Sequence, residues 1–360
     1  MTAQQRRVFG LVLLAFLGGP ACDDVDWPEP RYVDSLRVLG VRADPPTLTP
    51  GGATRLSLVC ADGRGGPRSD PTCDIEVAWF GGCDNPLRND PETCFDAFGA
   101  WGEQLANPVA ATAERAYPDG FGFGPEFVHA APPDILAGET QVGERRVRVG
   151  TSYVFFAACA GTLVPSPGVA DRLPLECRER ETGELLDHRS MVAGVTTLYS
   201  YDVVASRNPV LLAPRFDEVA VPVACGSPEA CPTGFECTEL GRCAPVVPPC
   251  RAVEPDDCPE HCLTVAVAQE SFSLLSEDGS SIAEPKKSVW LEALTNAGQL
   301  PADEASFGIR PPREGAAARR TPCIRWQAPT TPTRHAHLWT VVRDNRGGLA
   351  SWDLPIIVRE

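Results

Sequence analysis

Cysteine content is the feature of this sequence that most constrains its fold. The chain has 15 cysteines among 360 residues, and disulfides form and persist in oxidising compartments, not in the reducing cytosol. Zinc is the competing use of many cysteines, but structural zinc sites favour cysteine pairs separated by two residues. No two cysteines here have that spacing, and the nearest approach is the segment Cys258-Pro-Glu-His261-Cys262. The sequence therefore predicts an exported, disulfide-linked protein with no metal and no other cofactor.

The N-terminal segment has the layout of a signal peptide. Arg6 and Arg7 precede ten uncharged, mostly apolar residues, 8–17, and small residues follow at 18–21. This order of basic, apolar and small residues is typical of a segment removed during export. The apolar run is about half of the roughly 20 residues that a membrane-spanning helix needs. We therefore expect residues 1–21 to be cleaved and the mature chain not to span a bilayer.

The residues up to Cys22 resemble the signal of a bacterial lipoprotein, in which an apolar run and small residues precede a cysteine. The resemblance implies that Cys22 is acylated and becomes the new N-terminus. The sequence departs from the family pattern at Gly19, where lipoprotein signals usually have leucine, and an ordinary signal peptidase would accept the same cleavage bond. A lipid on Cys22 leaves 14 cysteines, which allows seven disulfides without a leftover thiol. Asp23 resembles an inner-membrane retention signal of some bacteria, and the choice of membrane stays open.

Short strands separated by turn residues dominate the mature chain. Residues 22–34 are acidic and contain two prolines, as a tether to a membrane anchor would. Beyond the tether, apolar residues alternate with polar ones at period two, which marks half-buried strands. The alternation is clearest at Leu56, Leu58 and Cys60, at Ile75, Val77 and Trp79, and at Tyr153, Phe155, Ala157 and Cys159. No long amphipathic helix is predicted, so the fold class is all-β, with sandwiches as its units.

Two parts of the chain resemble immunoglobulin-like (Ig-like) and PKD-like modules of bacterial extracellular proteins. Residues 36–63 resemble the opening strands of such a domain, and the resemblance implies a first sandwich at residues 35–206 with long loops, chiefly at 81–145. Residues 336–360 resemble the last hairpin of such a domain and imply a second sandwich at residues 207–360. Within the second, residues 222–262 have few large apolar side chains and are expected to form an inserted disulfide knot.

The resemblance suggests partners for some cysteines but does not fix the connectivity. Cys60 and Cys159, together with Trp79, take the places of the inter-sheet disulfide and buried tryptophan of Ig-like domains, and Cys83 is an equally good partner for Cys159. The knot has seven cysteines, which cannot all pair with each other. One of them is therefore expected to pair with Cys323, which lies outside the knot, and Cys262 is the candidate. The six cysteines of the first domain can pair locally. The disulfide candidates are Cys60, Cys73, Cys83, Cys94, Cys159, Cys177, Cys225, Cys231, Cys237, Cys243, Cys250, Cys258, Cys262 and Cys323.

Catalytic motifs are missing from the sequence. It contains no nucleophile elbow, no HExxH metal motif and no phosphate-binding loop. His335 and His337 fall on one face of a predicted strand with Trp339. The acidic loop 83–96 offers oxygen donors for calcium at Asp84, Asn85, Asp90, Glu92 and Asp96. We interpret the histidines as part of a packed or solvated face and the acidic loop as solvated. The glycine-rich segment 119–127 is interpreted as a mobile loop. No catalytic or metal-binding residue is therefore predicted.

Charge and architecture together indicate the function class. The mature chain has 30 basic and 48 acidic residues, a net charge of −18, which repels nucleic acid and anionic membrane surfaces. The leading hypothesis is a non-enzymatic envelope protein, anchored to a membrane only through lipid, that faces the periplasm or cell surface and binds other envelope proteins. A soluble secreted protein is expected if Cys22 is not acylated. The alternative is a carbohydrate-binding module, in which Trp79, Trp101, Trp290, Trp339 or Trp352 would stack on polysaccharide. A metal-dependent enzyme is a third possibility.

Overall fold

The computed structural model describes most of the chain after residue 30. The described residues are 31–66, 73–86, 94, 120–142, 145–166, 175–222, 224–252, 257–276, 279–283, 287–301, 306–312 and 316–360. They belong to one compact unit, Arg31–Glu360. Strands dominate this unit, so the predicted all-β class is confirmed. The helices among the described residues include short 3₁₀ turns at His188–Ser190, Pro228–Ala230 and Gln269–Phe272. In the part of the chain described, no helix has the length and hydropathy of a membrane span.

In the described residues, twelve strands build the first sandwich and its short extension towards the second. They are β1 (Leu36–Asp44), β2 (Thr47–Leu48), β3 (Ala53–Asp62), β4 (Glu76–Asp84), β5 (Phe121–Phe123), β6 (Glu126–Ala130), β7 (Gly138–Val142), β8 (Arg145–Cys159), β9 (Thr162–Pro165), β10 (Leu175–Arg178), β11 (Met191–Tyr201) and β12 (Val204–Ala205).

The first sandwich packs the sheet β1–β3–β6 against the sheet β2–β11–β8–β4–β5. Short β2 runs parallel to β11, and the longer pairs are antiparallel. Leu56, Trp79, Val154 and Leu198 fill the space between the two sheets. The other face of β8 is also buried, since Tyr153, Phe155, Ala157 and Cys159 pack with the β9–β10 hairpin and its surroundings. The four residues that the sequence places on one face of β8 do share that face.

Thirteen strands are present in the described part of the second half. They are β13 (Leu211–Phe216), β14 (Val219–Ala220), β15 (Phe235–Cys237), β16 (Cys243–Val247), β17 (Glu260–Ala268), β18 (Ser273–Ser276), β19 (Ser281–Ala283), β20 (Val289–Thr295), β21 (Ser306–Ile309), β22 (Ala318–Arg320), β23 (Ile324–Gln327), β24 (Thr333–Asp344) and β25 (Leu349–Val358).

The second sandwich repeats the strand plan of the first. One sheet is β14–β13–β17–β22, with β23 also paired to β17, and the other is β15–β16–β25–β24–β20–β21. Short β16 runs parallel to the last strand, β25, as β2 does to β11. The predicted C-terminal hairpin is β24–β25, and its turn contains Gly347 with φ +85°. A continuous core holds the sheets together, with Leu263, Leu291, Ile324 and Trp326 fully buried.

The Gly-rich segment 119–127 differs from its prediction. It contains β5 and the start of β6, not a mobile loop, because Phe121 and Phe127 bury their rings in the first sandwich. Phe127 stacks on Trp79 with ring centroids 5.9 Å apart. The described parts of the predicted loop region 81–145 likewise contain β5, β6 and β7.

Apolar and polar contacts join the two sandwiches. Leu39 and Ala61 of the first pack with Leu294, Trp339 and Leu349 of the second. Burial of such a cluster is the main stabilising term in packing two modules together. The guanidinium of Arg346 also donates to Tyr201 Oη at 3.0 Å, and Asn208 Nδ2 donates to Ala43 O at 2.7 Å.

The end of the acidic segment is part of this junction. Val33 N donates to Thr295 O at 2.7 Å, and Thr295 N donates to Arg31 O at 2.9 Å. Residues 31–34 thus add to the end of β20 in the second sandwich before the chain enters β1 of the first. The remainder of the predicted tether, the signal segment and Cys22 lie outside the described residues.

Candidate functional site

Seven disulfides account for all 14 candidate cysteines. The pairs are Cys60–Cys73, Cys83–Cys94, Cys159–Cys177, Cys225–Cys237, Cys231–Cys243, Cys250–Cys258 and Cys262–Cys323. The expected pairing of Cys262 with Cys323 is present. Because disulfides of this number need an oxidising compartment, the chain folds outside the cytosol.

The Ig-type disulfide implied by the resemblance does not form. Cys60 lies on β3 and pairs with Cys73 just before β4, whereas Cys159 at the end of β8 pairs with Cys177 on β10. The alternative pairing of Cys83 with Cys159 is also wrong, because Cys83 pairs with Cys94. Phe127 and Leu56 surround Trp79 in place of an inter-sheet disulfide.

The candidate zinc segment has no free thiol. Cys258 and Cys262 both belong to disulfides, and His261 Nδ1 lies 2.7 Å from Asp217 Oδ2. Three sulfurs of the knot, those of Cys225, Cys231 and Cys243, lie within 4.8 Å of one another. These also belong to disulfides, and zinc binds the thiolate form of cysteine. Neither group of cysteines is a metal site in its oxidised form.

The acidic loop contributes to packing in the part described. Asp84 Oδ1 accepts a hydrogen bond from Ser152 Oγ at 2.5 Å, and Asn85 donates to Ile135 O while accepting from Thr151 N. These two side chains join neighbouring strands and loops. The other calcium-donor candidates, Asp90, Glu92 and Asp96, lie outside the described residues.

Of the two histidines, His337 takes part in a hydrogen-bonded network with Asp353 and Arg242. His337 stacks on Trp339 with ring centroids 5.4 Å apart, and its Nδ1 lies 2.7 Å from Asp353 Oδ1. Arg242 of the knot donates to Asp353 Oδ2 at 2.7 Å. Burial raises the pKa of Asp353, but the hydrogen bonds and charges of His337 and Arg242 outweigh it, so that the pKa lies below its usual value. His335 does not join them, since the register of β24 shifts between Thr333 and Ala336.

The tryptophan platform is not evident in the described residues. Trp79 is fully buried, Trp339 is 4% exposed, and Trp290 and Trp352 are half-buried. Trp101 lies outside the described residues. A sugar-stacking surface needs exposed ring faces, whereas Trp79, Trp339 and Trp352 pack in the sandwiches and their junction.

The edge of β11 is the surface best suited to binding. β11 pairs with β8 along its whole length, from Met191 opposite Cys159 to Tyr201 opposite Val149. On its other side it pairs with β2 only at Tyr199 and Ser200. The eight residues Met191–Leu198 therefore form a sheet edge without a neighbouring strand in the described part of the chain.

Hydrogen-bond directions on β11 follow from the register. Ala160 N donates to Ser190 O at 2.9 Å. Because the bonding direction alternates along an antiparallel strand, the backbone groups of every second residue from 190 to 198 bond to the strand β8. The N–H and C=O groups of Met191, Ala193 and Val195 then point away from β8. No hydrogen bond reaches these groups from any residue that the structure describes.

Side chains along this edge carry no charge. β11 reads MVAGVTTLYSY, and Val195 is 43% exposed. Natural edge strands are commonly protected from pairing by lysine, proline or a bulge. β25, the equivalent strand of the second sandwich, has such protection, since it contains Pro355 and packs against the junction through Leu349. Sequence reasoning cannot identify the β11 edge, because the order of strands in a sheet is set by long-range pairing.

Comparison with known proteins adds little to these observations. No protein-family model and no curated protein matches the chain. Similar solved structures include the adhesin InvE of Yersinia pseudotuberculosis, 10% identical with a TM-score of 0.20, which aligns over 90% of this chain and 60% of the adhesin. Another is the alpha-2-macroglobulin of Escherichia coli, 10% identical with a TM-score of 0.18, over 92% of this chain and 22% of the macroglobulin. The chain spans less than two thirds of either protein, and TM-scores of this size support no inference about function.

Proposed function

We propose that this chain is a non-enzymatic, lipid-anchored envelope protein that binds an extended segment of a partner protein along the edge of β11. The observation that carries the proposal is the outward row of backbone groups at Met191, Ala193 and Val195, which lacks a partner among the described residues. An extended segment that adds as a further strand satisfies such a row, with main-chain hydrogen bonds giving affinity and alternate side chains giving specificity.

The chemistry of the edge defines the partner. An antiparallel segment facing three outward residues forms about six backbone hydrogen bonds, each with a net worth of about 1 kcal/mol. The segment must be extended, and its side chains must pack beside Ala193 and Val195, which favours small or β-branched residues. A second copy of the chain is a poor occupant, since two mature chains of net charge −18 repel each other. A neutral or basic segment of another envelope protein fits better.

Cysteine pairing supports the lipid anchor. The seven disulfides use every cysteine after Cys22, so no thiol of the same chain is left to pair with it. A lipid thioether accounts for this odd cysteine. Residues 22–31 span at most about 30 Å when fully extended, which would keep the docked residues 31–34 close to a membrane surface.

A photocrosslinking amino acid at position 195, in protein produced in native cells, tests the binding edge. We expect an adduct with a second protein at position 195 and not at Leu212, which is 42% exposed on the second sandwich. The variant Ala193→Pro removes one outward N–H and leaves every bond to β8 in place, because proline is tolerated where the N–H of an edge strand faces solvent. This variant should keep the wild-type melting temperature and reduce the adduct at least tenfold.

Ala193→Thr retains the N–H and serves as the matched control, with an unchanged adduct. An adduct of equal yield in Ala193→Pro, or no adduct at position 195, contradicts edge binding. An adduct between two copies of this chain contradicts the proposed partner.

The anchor has a separate test. The N-terminal peptide of protein purified from native membranes should have the mass of a diacylglyceryl-modified Cys22. An unmodified Cys22 would make the protein soluble and exported, and would leave the binding proposal intact.

A further inference from the structure

Lys287 and Asp344 form a fully buried pair at one end of the second sandwich. Lys287 is one of two lysines in the chain and precedes β20, and Asp344 ends β24. Both side chains are 0% exposed, and Lys287 Nζ lies 3.0 Å from Asp344 Oδ2. Removing two opposite charges from water is costly even when they pair. The pair therefore needs an explanation beyond surface electrostatics.

Three polar atoms lie around Lys287 Nζ. Nζ donates to Ser206 Oγ at 3.0 Å and to Ser273 O at 3.3 Å. Asp344 Oδ2, although close, accepts no hydrogen bond from the described residues. The hydroxyl and the carbonyl thus hold Nζ in place beside the carboxyl group of Asp344.

The carboxyl group of Asp344 is held in place for attack by Lys287 Nζ on its carbon atom, Cγ. Its Oδ1 accepts hydrogen bonds from the backbone N–H groups of Arg346 and Gly348, each at 2.8 Å. Two such donors stabilise the negative oxygen of a tetrahedral intermediate, as an oxyanion hole does. Gly348 also allows the close approach, since a Cβ there would lie 2.6 Å from Oδ2.

We propose that Lys287 and Asp344 condense to an intramolecular amide. Transfer of one proton from Nζ to Oδ2 converts the ion pair into an amine and a carboxylic acid, the forms that burial favours. Nζ then attacks Cγ, the Nζ–Cγ bond forms, the Cγ–Oδ2 bond breaks, and Oδ2 leaves as water with a proton from the amine. Ser206 Oγ, within hydrogen-bond distance of Nζ, is the positioning residue and relays that proton.

The fold supplies the proximity and the exclusion of water that amide formation lacks in free solution. Fixing two reacting groups in contact corresponds to a very high effective concentration, and neither group exposes side-chain surface to water. No oxidant, nucleotide or added enzyme is required. The product would join Lys287, which precedes β20, covalently to the end of β24, so that these two paired strands could not be pulled apart.

Mass spectrometry of the full chain, reduced and denatured, tests the proposal. The intact mass should be lower than that of the reduced sequence, with its N-terminal modification, by one water. Trypsin cleaves after Arg343 and Arg346 and not after an acylated lysine. The digest should therefore contain a branched product in which the peptide 344–346 is attached to the peptide 287–313.

Two conservative variants make the assignment specific. Lys287→Arg keeps the cation but cannot form the amide, so its mass should show no loss of water, while Lys286→Arg should be cross-linked like wild type. Ser206→Ala should cross-link more slowly than wild type, and an equal rate would contradict the relay. A wild-type mass without the loss, together with free 344–346 peptide and cleavage after residue 287, would overturn the amide. These readouts are independent of strand binding at β11.

Discussion

Arg242 of the cysteine-rich knot donates a hydrogen bond to Asp353 Oδ2 of β25 at 2.7 Å. The other carboxylate oxygen of Asp353 lies 2.7 Å from His337 Nδ1, so that one carboxylate joins the knot to the hairpin β24–β25. β16, which lies within the knot, pairs directly with β25 as well. The knot is therefore integrated into the second sandwich.

Replacing Arg242 should weaken this connection in a pH-dependent way. We expect Arg242→Gln to lower the free energy of unfolding by about 1–2 kcal/mol at pH 7, since the pair is only partly buried. The pKa of Asp353 is lowered in the folded chain, so the ionised carboxylate contributes stability above about pH 4 that is lost as the pH falls through the folded pKa. The stability deficit of the variant should therefore shrink below about pH 4. Urea unfolding of the wild type and Arg242→Gln from pH 7 to pH 3 measures this difference in unfolding free energy.

Arg251 provides the matched control for that experiment. It pairs with Glu360 near the same sheet, but both side chains are 70% exposed. Arg251→Gln should change the unfolding free energy by less than about 0.5 kcal/mol at any pH. A deficit in Arg242→Gln that stays constant from pH 7 to pH 3 would exclude Asp353 as its cause.

The disulfides should contribute differently to the free energy of unfolding, according to the length of the loop that each closes. Cys262 and Cys323 are 61 residues apart, whereas Cys250 and Cys258 are 8 apart. Chain-entropy arguments give about 4 kcal/mol for the longer loop and about 2.5 kcal/mol for the shorter one. Replacing both cysteines of each pair with serine and comparing denaturant midpoints tests this order. Equal losses would show that strain or native contacts, not loop closure, dominate.

Local patterns in the sequence predicted the strands well. The alternation at Tyr153, Phe155 and Ala157 identified a face of β8 that is buried, and the turn residues around Gly347 identified the C-terminal hairpin. Both features depend on neighbours in the chain. The prediction of a mobile loop at residues 119–127 is wrong. Its glycines favour a loop, but the segment forms two short strands whose aromatic rings pack in the core.

Long-range relationships could not be predicted in the same way. Cys60 and Cys159 suit an inter-sheet disulfide by type, but Cys73 lies with its Cα 6.2 Å from that of Cys60, and sequence spacing does not report such proximity. The contact of Lys287 with Asp344 and the open edge of β11 likewise depend on which strands become neighbours. The candidate sites are therefore properties of the folded chain that a single sequence does not reveal.

The docking of residues 31–34 should depend on Gly63. A Cβ at this position would overlap the backbone carbonyl of Val33, which cannot rotate away as a side chain can. Gly63→Ala should cost about 1–3 kcal/mol and should speed amide hydrogen exchange at Val33 and Thr295. Gly308→Ala is the control, since a Cβ there meets no atom within 4 Å. Unchanged protection of Val33 in Gly63→Ala would contradict the observed docking.

The junction of the two sandwiches can be tested with Gly40 and Leu349. A Cβ on Gly40 would overlap Leu349 Cδ1, and Leu349 is 3% exposed within the apolar cluster that joins the sandwiches. Gly40→Ala should therefore cost about 1–3 kcal/mol through overpacking, and Leu349→Ala about 2–4 kcal/mol through the cavity it leaves. In the double variant the new methyl group occupies part of that cavity, so the combined loss should be smaller than the sum by at least about 1 kcal/mol. Chemical denaturation of the wild type, the two single variants and the double variant gives the coupling free energy between the two positions. A coupling near zero would mean that the two residues do not meet across the junction.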